Sequence, residues 1–158
     1  MIRAFEKSDI TSAMKIWNDA VSSGEFIYSD KLLDEVGFAR MCETQTAVAV
    51  AEIDGIVAGL YILHPNHEGR GGHIANASYV VDENFRGQGI GKALISDSIK
   101  KAKQHGFKGF QFNAVVATNP AISLYKKLGF KETGKNKKAF KLPNGKLVDT
   151  IIMFLDLE

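Results

Sequence analysis

The chain has 158 residues, of which 45% are hydrophobic and 24% charged. Twenty Lys and Arg residues against 18 Asp and Glu residues leave a formal net charge of +2, too small for a surface dedicated to nucleic acid. The length suits one domain spanning residues 1–158, since domains commonly hold roughly 100 to 150 residues. No run approaches the about 18 apolar residues that span a bilayer, so neither a nucleic acid nor a membrane is an expected partner.

The cysteine content and the first residues indicate the compartment. A single cysteine, Cys42, cannot form an internal disulfide. Residues 1–7 contain no apolar segment of the kind that directs secretion. We therefore expect a cytoplasmic location.

The N-terminal region predicts one strand and two helices. Residues 2–5 have the pattern of a short strand, and Ser8 is a suitable N-cap for a first helix with one apolar face. Ser29 or Asp30 could cap a second helix, which continues through residue 39.

Three strands follow in the middle of the chain. Residues 47–53 and 56–63 are β-runs joined by Asp54-Gly55, which is a strong hairpin signal. A polar loop, residues 66–72, then leads to a strand over about residues 73–81.

The C-terminal half predicts two helices and three strands. A helix follows Gly89 and stops at Gly106, and residues 110–116 form a buried strand. Asn119 caps a further helix, and two strands surround the turn at residues 143–146. Pro120 suits the first helical position, where its missing N–H costs nothing, and Gly129 ends this helix. The element order predicts a mixed sheet flanked by helices.

A glycine-rich segment, Arg-Gly-Gln-Gly-Ile-Gly-Lys at residues 86–92, stands between a strand and a helix start. Glycines allow close backbone approach to a ligand, and the first turn of a helix offers unpaired N–H groups to an anion. A P-loop would need Gly and Ser or Thr where Arg86 and Ala93 stand. A dinucleotide fingerprint would need a third glycine where Lys92 or Leu94 stands. Both motifs are therefore excluded.

The remaining pattern, Arg-x-x-Gly-x-Gly, resembles the coenzyme A pyrophosphate loop of the GNAT superfamily of N-acetyltransferases. The segment Asn119–Phe130 adds to the resemblance, with an Asn opening a helix, a Leu-Tyr pair within it and a Gly-Phe after it. The likeness runs from about Ile2 to Leu157 and is sharp between His73 and Phe130. It implies an α/β (α+β mixed) fold: a central mixed, mostly antiparallel twisted sheet of about seven strands, flanked by four helices.

The resemblance also implies acetyl-CoA as cosubstrate, with no metal. In the family the strand before the loop bulges and splays from its neighbour, which makes room for the pantetheine arm and frees a backbone N–H to polarise the thioester carbonyl. The residues at the matching positions, expected to bind the coenzyme, are Tyr79, Val80, Val81, Arg86, Gly87, Gln88, Gly89, Ile90, Gly91, Lys92, Asn119 and Tyr125.

Two of these residues have a second interpretation. Tyr125 matches the family's general acid, which protonates the departing thiolate, yet a half-buried core tyrosine would show the same pattern beside Leu124 and Leu128. Asn119 matches a residue that holds the coenzyme arm, and it could also serve only as an N-cap.

The general base is the point at which the chain departs from the family pattern. Many members carry a Glu on the strand before the loop, whereas residues 73–79 contain no carboxylate. Asn76 cannot accept a proton, but it could orient the acceptor or an ordered water, as could Asn113, or both could be satisfied buried amides. The candidate bases are Glu25, His64, His67 and His73, with a water chain to solvent as the alternative.

The acceptor is expected to be a primary amine of a small molecule or peptide. It should enter opposite the coenzyme, between residues 21–29, the 66–72 loop and the C-terminal hairpin. Glu25 would suit a cationic amine, and Phe26 and Tyr28 would suit its apolar body.

Several other features receive a plainer interpretation. The histidine spacing matches no zinc signature, and the lysines between residues 126 and 138 are typical of a solvated face. The residues beside Cys42 supply no activating group, so a covalent acyl-cysteine is not expected. The apolar run at residues 150–155 would permit a homodimer or form a core strand. The rival functions are a non-catalytic acyl-CoA sensor or scaffold, and an enzyme with a longer acyl group or an alcohol acceptor.

Overall fold

A computed structural model describes all residues from Met1 to Glu158. Seven strands form one sheet in the order β1-β2-β3-β4-β5-β7-β6. The strands are β1 (Ile2–Ala4), β2 (Ala47–Ile53), β3 (Ile56–Pro65), β4 (Ile74–Val81), β5 (Gly109–Val116), β6 (Lys131–Lys141) and β7 (Leu147–Asp156). The helices are α1 (Ile10–Ser23), α2 (Glu35–Glu43), α3 (Ile90–Gln104) and α4 (Ala121–Lys127). The predicted fold class and element order are confirmed.

Alternation along the central strands sends side chains to two separate cores. One core packs Val50, Leu60 and Val80 against α1 and α2. The larger core packs Tyr61 and Ala77, on the opposite face, against α3 and α4. The sheet is therefore a middle layer with helices on both faces, as the period of two along a strand requires.

The β2–β3 connection is the tight hairpin that the sequence predicts. Asp54 and Gly55 have φ angles of 50° and 79°, and Ile53 pairs directly with Ile56. Positive φ at both central residues is the geometry whose twist matches the flanking strands. The register set by this hairpin holds through Glu52 and Val57, and it shifts by one residue at Ala51, which pairs with Gly59.

The feature that creates a site is the pairing of β4 with β5. These are the only parallel neighbours in the sheet, and they pair at two positions, Ile74 with Gly109 and Ala75 with Phe110. Beyond those positions no pairs join the two strands, although both continue for six more residues. The sheet is therefore open in its interior.

The bulge expected in β4 is not found. β4 pairs with β3 over seven successive residue pairs without a shift in register. The irregularity lies instead in β5, whose pairing with β7 shifts between Phe112 and Val115. The separation from β5 opens the gap without a bulge in β4.

Two predicted caps are displaced. Ser8 lies in a 3-10 turn before α1, where Asp9 accepts a hydrogen bond from the Glu6 N–H (2.8 Å). α2 begins after Asp34, which accepts from the Gly37 N–H at 2.7 Å, and not after Ser29 or Asp30. At α4 the predicted cap is found, since Asn119 Oδ1 accepts from the Ala121 N–H at 2.9 Å. Ser, Asp and Asn can all accept from a helix start, so the residue type does not fix which of several is used.

The apolar run at residues 150–155 is part of a core strand. β7 is paired on both sides, by β5 and by β6, and Thr150 and Met153 are fully buried. The free edge on this side of the sheet is β6, which carries exposed lysines of the kind that discourage pairing between sheet edges. No helix combines the length and the apolar composition needed to cross a bilayer.

Gly59 holds β3 and β4 in close contact, and its replacement provides a test. A Cβ on Gly59 would lie 2.7 Å from the Val80 carbonyl oxygen and 3.3 Å from Leu94 Cδ1. We expect Gly59→Ala to lower the free energy of unfolding by roughly 1 to 3 kcal/mol, measured by urea denaturation, because backbone must move. In Gly91→Ala the new Cβ meets only Leu124 Cδ2 at 4.0 Å. This control should be neutral or slightly stabilising, and equal losses in the two variants would contradict the interpretation.

Candidate active site

A cavity of about 430 Å³ occupies the gap between β4 and β5. Residues 76–79 line one side, residues 112–116 the other, and residues 26–29 of the α1–α2 loop lie across it. Trp17, Ile62, Asn119 and Tyr125 complete the lining. The strand separation thus produces a pocket large enough for a small ligand.

Alternation along β4 determines which backbone groups face this gap. The Asp82 N–H donates to the Ala58 carbonyl at 2.9 Å, and the Ile74 carbonyl accepts from Asn66 at 2.7 Å, so even-numbered residues of β4 bond to β3. The odd-numbered residues, including Tyr79 and Val81, therefore direct their N–H and C=O groups toward β5. Ala75 still pairs with β5, and the Ala77 N–H donates to Asn76 Oδ1, so the groups left without a protein partner are those of Tyr79 and Val81.

The glycine-rich loop lies at the C-terminal end of the same strand. Gly87 and Gly89 have φ angles of 78° and 79°, and α3 begins directly afterwards at Ile90. None of the backbone N–H groups of residues 87–92 donates to an acceptor within the protein. Six free donors at the positive end of a helix make an anion site. The side chains of Arg86 and Lys92 are exposed beside it.

Tyr125 reaches the cavity from α4. Its side chain is 7% exposed, and its ring packs on Phe112 and Phe130 with centroid distances of 4.5 and 5.8 Å. The hydroxyl makes no hydrogen bond within the protein, although the residue lines the cavity. Burial raises the pKa of Tyr125, so the phenol stays protonated near neutral pH and is a donor.

Two other tyrosines of this core have hydroxyls that are hydrogen-bonded within the protein. The Tyr61 hydroxyl donates to Asp97 Oδ2 at 2.7 Å. Ser98 Oγ donates to the Ile95 carbonyl, and it therefore accepts from the Tyr79 hydroxyl at 2.7 Å. The Tyr79 side chain is thus a structural part of the core, while its backbone faces the gap. Of these three phenols, Tyr125 alone offers an unpaired hydroxyl to the cavity.

An amide network links β4 and β5 beside the gap, through Asn66 in the loop after β3. Asn76 accepts from the Ala77 N–H at 2.8 Å and donates to Asn66 at 3.0 Å. Asn66 and Asn113 form a reciprocal amide pair, at 2.8 and 3.1 Å, and Gln111 donates to Asn113 at 3.0 Å. Asn66 is a residue of this network that the sequence analysis does not name as a site residue. The antiparallel pairing of β3 with β4 could have indicated it, because that pairing places the residue after β3 beside the start of β4.

Asn119 caps α4 and also lines the cavity. Its Oδ1 accepts from the Ala121 N–H at 2.9 Å, which ties down the start of α4. Its amide NH₂ has no acceptor in the protein, and the residue lines the cavity. One side chain thus serves the helix and still presents a donor to the gap.

The residues expected to meet the acceptor are only partly brought together. Phe26 and Tyr28 line the cavity, and the Tyr28 ring packs edge-on to Phe140 with centroids 5.1 Å apart. Glu25 is exposed and lies instead on a separate surface cleft with Thr118 and Asn144.

None of the candidate bases lines the cavity. His64 is half-buried, with Nδ1 2.8 Å from the Pro65 carbonyl oxygen, while His67 and His73 are exposed. The lining contains no Asp, Glu, His, Lys or Arg. A proton leaving the cavity therefore has no protein carboxylate or imidazole to receive it there.

Cys42 and the histidines take no part in this site. Cys42 is buried away from the cavity, and burial raises the pKa of its thiol to about 11. It is thus a thiol, not a thiolate, near neutral pH. No group of three or more His, Cys, Asp or Glu side chains is placed to hold a metal ion.

A family match accounts for this combination of fold and site. The model of the acetyltransferase (GNAT) family matches residues 13–130, and the chain belongs to this family. The resemblance of the glycine-rich loop and the α4 segment to that family is thereby confirmed.

Relatives and solved structures agree with the assignment. The L-amino acid N-acetyltransferase AaaT of Escherichia coli K12 is 28% identical over 130 residues, covering 82% of this chain and 75% of that protein. The N-acetyltransferase aca1 of Schizosaccharomyces pombe is 37% identical over 98 residues, covering 60% of this chain. The match spans 47% of that relative, about half of its length.

Two structures match over nearly the whole chain. A GCN5-related N-acetyltransferase from Kribbella flavida has a TM-score of 0.92 and 33% identity, covering 99% of this chain and 96% of that one. The Salmonella typhimurium acetyltransferase yncA, solved with its cofactor acetyl-CoA, has a TM-score of 0.93 and 26% identity, covering 100% and 94%.

The free hydroxyl of Tyr125 gives a stability prediction. Tyr125→Phe removes a group without a protein partner, so we expect the free energy of unfolding to change by less than about 0.5 kcal/mol. Tyr79→Phe breaks a partly buried hydrogen bond to Ser98 and should cost about 1 kcal/mol in the same urea titration. A larger loss for Tyr125→Phe than for Tyr79→Phe would show that the Tyr125 hydroxyl is a core group.

Proposed function

We propose that the protein is an acetyl-CoA-dependent N-acetyltransferase, which transfers an acetyl group to a primary amine of a small molecule by direct attack. The observation that supports it most is the gap between β4 and β5, where unpaired strand backbone, a free phenol and an apolar pocket meet. Such a gap suits a thioester held beside an amine. The yncA structure with acetyl-CoA supports the choice of cosubstrate.

The coenzyme would bind along one continuous path. The free N–H groups of residues 87–92 would hold its pyrophosphate, with Arg86 and Lys92 placed for further phosphate contacts. The amide-bearing arm would pair with the outward backbone groups of Tyr79 and Val81, as an added strand does, and Asn119 would donate to it. This path ends at Tyr125.

The reaction requires one bond to form and one to break. The neutral amine nitrogen attacks the thioester carbonyl carbon, and the resulting oxyanion accepts a hydrogen bond from the N–H of Val81 or Tyr79. Collapse breaks the carbon–sulfur bond, and the Tyr125 hydroxyl donates its proton to the departing thiolate. The proton lost by the amine nitrogen returns to the phenolate through water.

Removal of the amine proton would depend on water. A lysine-like amine, with a pKa near 10.4, costs roughly 4 to 5 kcal/mol to present in its neutral form at pH 7. Asn76 and Asn113 lie at the mouth of the gap, where their amides would orient ordered water that carries the proton to solvent. Glu25 and the three histidines lie outside this path.

The uncharged lining favours a second candidate. A protein that binds acyl-CoA without turnover, as a sensor or scaffold, needs no base. Release of free thiol over a panel of amines distinguishes the two, since a sensor gives a ligand-induced rise in melting temperature without thiol release. The cytoplasmic location and the homodimer stay predictions.

The glycine-rich loop offers a test of coenzyme binding. In Gly89→Ala the positive φ becomes costly by roughly 1 to 2 kcal/mol, which reorients the N–H groups that would hold the pyrophosphate. We expect KM for acetyl-CoA to rise about tenfold, with kcat nearly unchanged.

Gly106→Ala is the matched control for this variant. Gly106 has a φ of 81°, also faces open space and lies at the opposite end of α3. It carries the same backbone strain without access to the coenzyme, so KM should not change. An equal rise in both variants would place the pyrophosphate elsewhere.

Tyr125→Phe tests the chemical step. Loss of the proton donor should lower kcat about 100-fold in a thiol-release assay while KM for acetyl-CoA changes little. Because burial raises the pKa of Tyr125, the phenol stays protonated from pH 6 to about 9. The wild-type kcat/KM should therefore rise with pH as the amine deprotonates, without a fall in that range.

Tyr61→Phe is the control, because it also removes a buried hydroxyl from the same core, away from the cavity. It should keep kcat within about twofold at a temperature where both variants are folded. Equal kcat for Tyr125→Phe and wild type would remove the phenol from the mechanism.

A further inference from the structure

The cavity is uncharged, which is unusual for a site that must take an ionisable substrate. Twelve of its 17 lining residues are hydrophobic, and the other five are serines and asparagines. The charged side chains around the cavity lie outside its lining and are exposed to water: Glu25, Asp30 and Lys31 on the α1–α2 loop, Glu68 and Arg70 on the 66–72 loop, and Lys137 and Lys138 on β6. An acceptor inside the cavity therefore meets only apolar groups, hydroxyls and amides.

Phe26 and Tyr28, here called the aromatic roof, lie across one side of the cavity, and Tyr28 is itself exposed. Phe26 also packs against the small core of Val116, Phe140 and Val148, and Tyr28 stands edge-on to the same Phe140. This packing anchors residues 26–29 to the C-terminal hairpin. The roof thus presents a fixed apolar surface to the body of an acceptor.

An uncharged lining has opposite effects on the two states of the reacting amine. Transfer of an ammonium ion from water into an apolar pocket costs far more than transfer of the neutral amine, whose polar nitrogen can still hydrogen-bond to a hydroxyl or amide. The pocket therefore selects the reactive form, and the amine loses its proton before it enters.

The same lining penalises any second charge on the acceptor. A free carboxylate would lose its hydration without gaining an Arg or Lys partner, and a second ammonium would find no carboxylate. Serine and asparagine can satisfy a neutral polar group but cannot balance a full charge.

We propose that the acceptor is a small monoamine with an otherwise uncharged and apolar body, and that free amino acids and polyamines are poor substrates. This inference rests on the proposed acetyltransferase function. It narrows the acceptor beyond the family match, and it separates this chain from an acceptor preference of the kind named for AaaT.

Matched amines provide the first test. Thiol release is measured with 2-phenylethylamine, L-phenylalaninamide and L-phenylalanine, and with butylamine against putrescine, with each rate expressed per neutral amine. We expect kcat/KM to be about 100-fold higher for 2-phenylethylamine than for L-phenylalanine, with butylamine above putrescine. L-Phenylalaninamide keeps the substituted carbon without the carboxylate, so it should stay within about tenfold of 2-phenylethylamine. Equal or better use of L-phenylalanine would overturn the inference and leave the acetyltransferase proposal intact.

A charge placed on the cavity rim provides the second test. Ser29 lines the cavity and is itself exposed, so Ser29→Arg should fold. It should raise the ratio of kcat/KM for L-phenylalanine over 2-phenylethylamine by about tenfold, since a guanidinium can pair with the carboxylate. Ser22→Arg adds the same charge on the exposed side of α1, away from the cavity, and should leave the ratio unchanged. Equal ratios in the two variants would argue against the inference.

Binding separates the inference from the proposed function. Calorimetry with the coenzyme-saturated protein measures the dissociation constants of 2-phenylethylamine and L-phenylalanine directly. Tighter binding of 2-phenylethylamine without thiol release would retain the inference for the cavity and reject catalysis. Tighter binding of L-phenylalanine would reject the inference whatever the turnover.

Discussion

The structure depends on one unusual constraint, the loss of pairing between two interior strands of a sheet. Backbone N–H and C=O groups inside a protein must find partners, and a sheet normally supplies them. Here β4 and β5 pair only at Ile74–Gly109 and Ala75–Phe110, and then separate. The aromatic cluster of Phe110, Phe112 and Phe130 packs behind the gap, together with the ring of Tyr125. The open edge of β4 thus leaves the outward N–H and C=O groups of Tyr79 and Val81 without protein partners, next to a phenol without a partner.

The tyrosine hydroxyls of this core differ in whether they have a protein hydrogen-bond partner. The hydroxyls of Tyr61 and Tyr79 are held by Asp97 and Ser98, which face them from α3. Tyr125 comes from α4, whose side of the pocket supplies no acceptor for its hydroxyl. Burial acts alike on all three phenols and raises each pKa. What distinguishes Tyr125 is therefore that its hydroxyl has no protein partner and that the residue lines the cavity between the separated strands.

The sequence predicts the features that are encoded locally. Asp54-Gly55 specifies a tight turn because its two residues adopt positive φ, and the turn can therefore be predicted from the sequence. The same holds for the loop in which Gly87 and Gly89 adopt positive φ. Helix starts were less certain, since Asp34 competes with Ser29 and Asp30 for the same capping role. The amide network was not predictable, because the contact of Asn66 with Asn113 joins residues 47 positions apart. Whether the Tyr125 hydroxyl is paired within the core likewise depends on its spatial neighbours. The apolar periodicity of α4 gives no information about them.

The cavity lacks a base and is largely apolar for the same reason: its lining contains no Asp, Glu, His, Lys or Arg. A carboxylate in the lining would accept the amine proton, but it would also stabilise the ammonium ion that cannot react. An uncharged lining does neither, so it transfers the cost of deprotonation to the step in which the amine leaves water. This arrangement works only if the rest of the acceptor tolerates the same desolvation, because a second charge would add its own penalty to that step. Under the proposed function, selection of the acceptor and exclusion of its ammonium form are therefore the same physical event, and a lining residue that introduced charge would change both together.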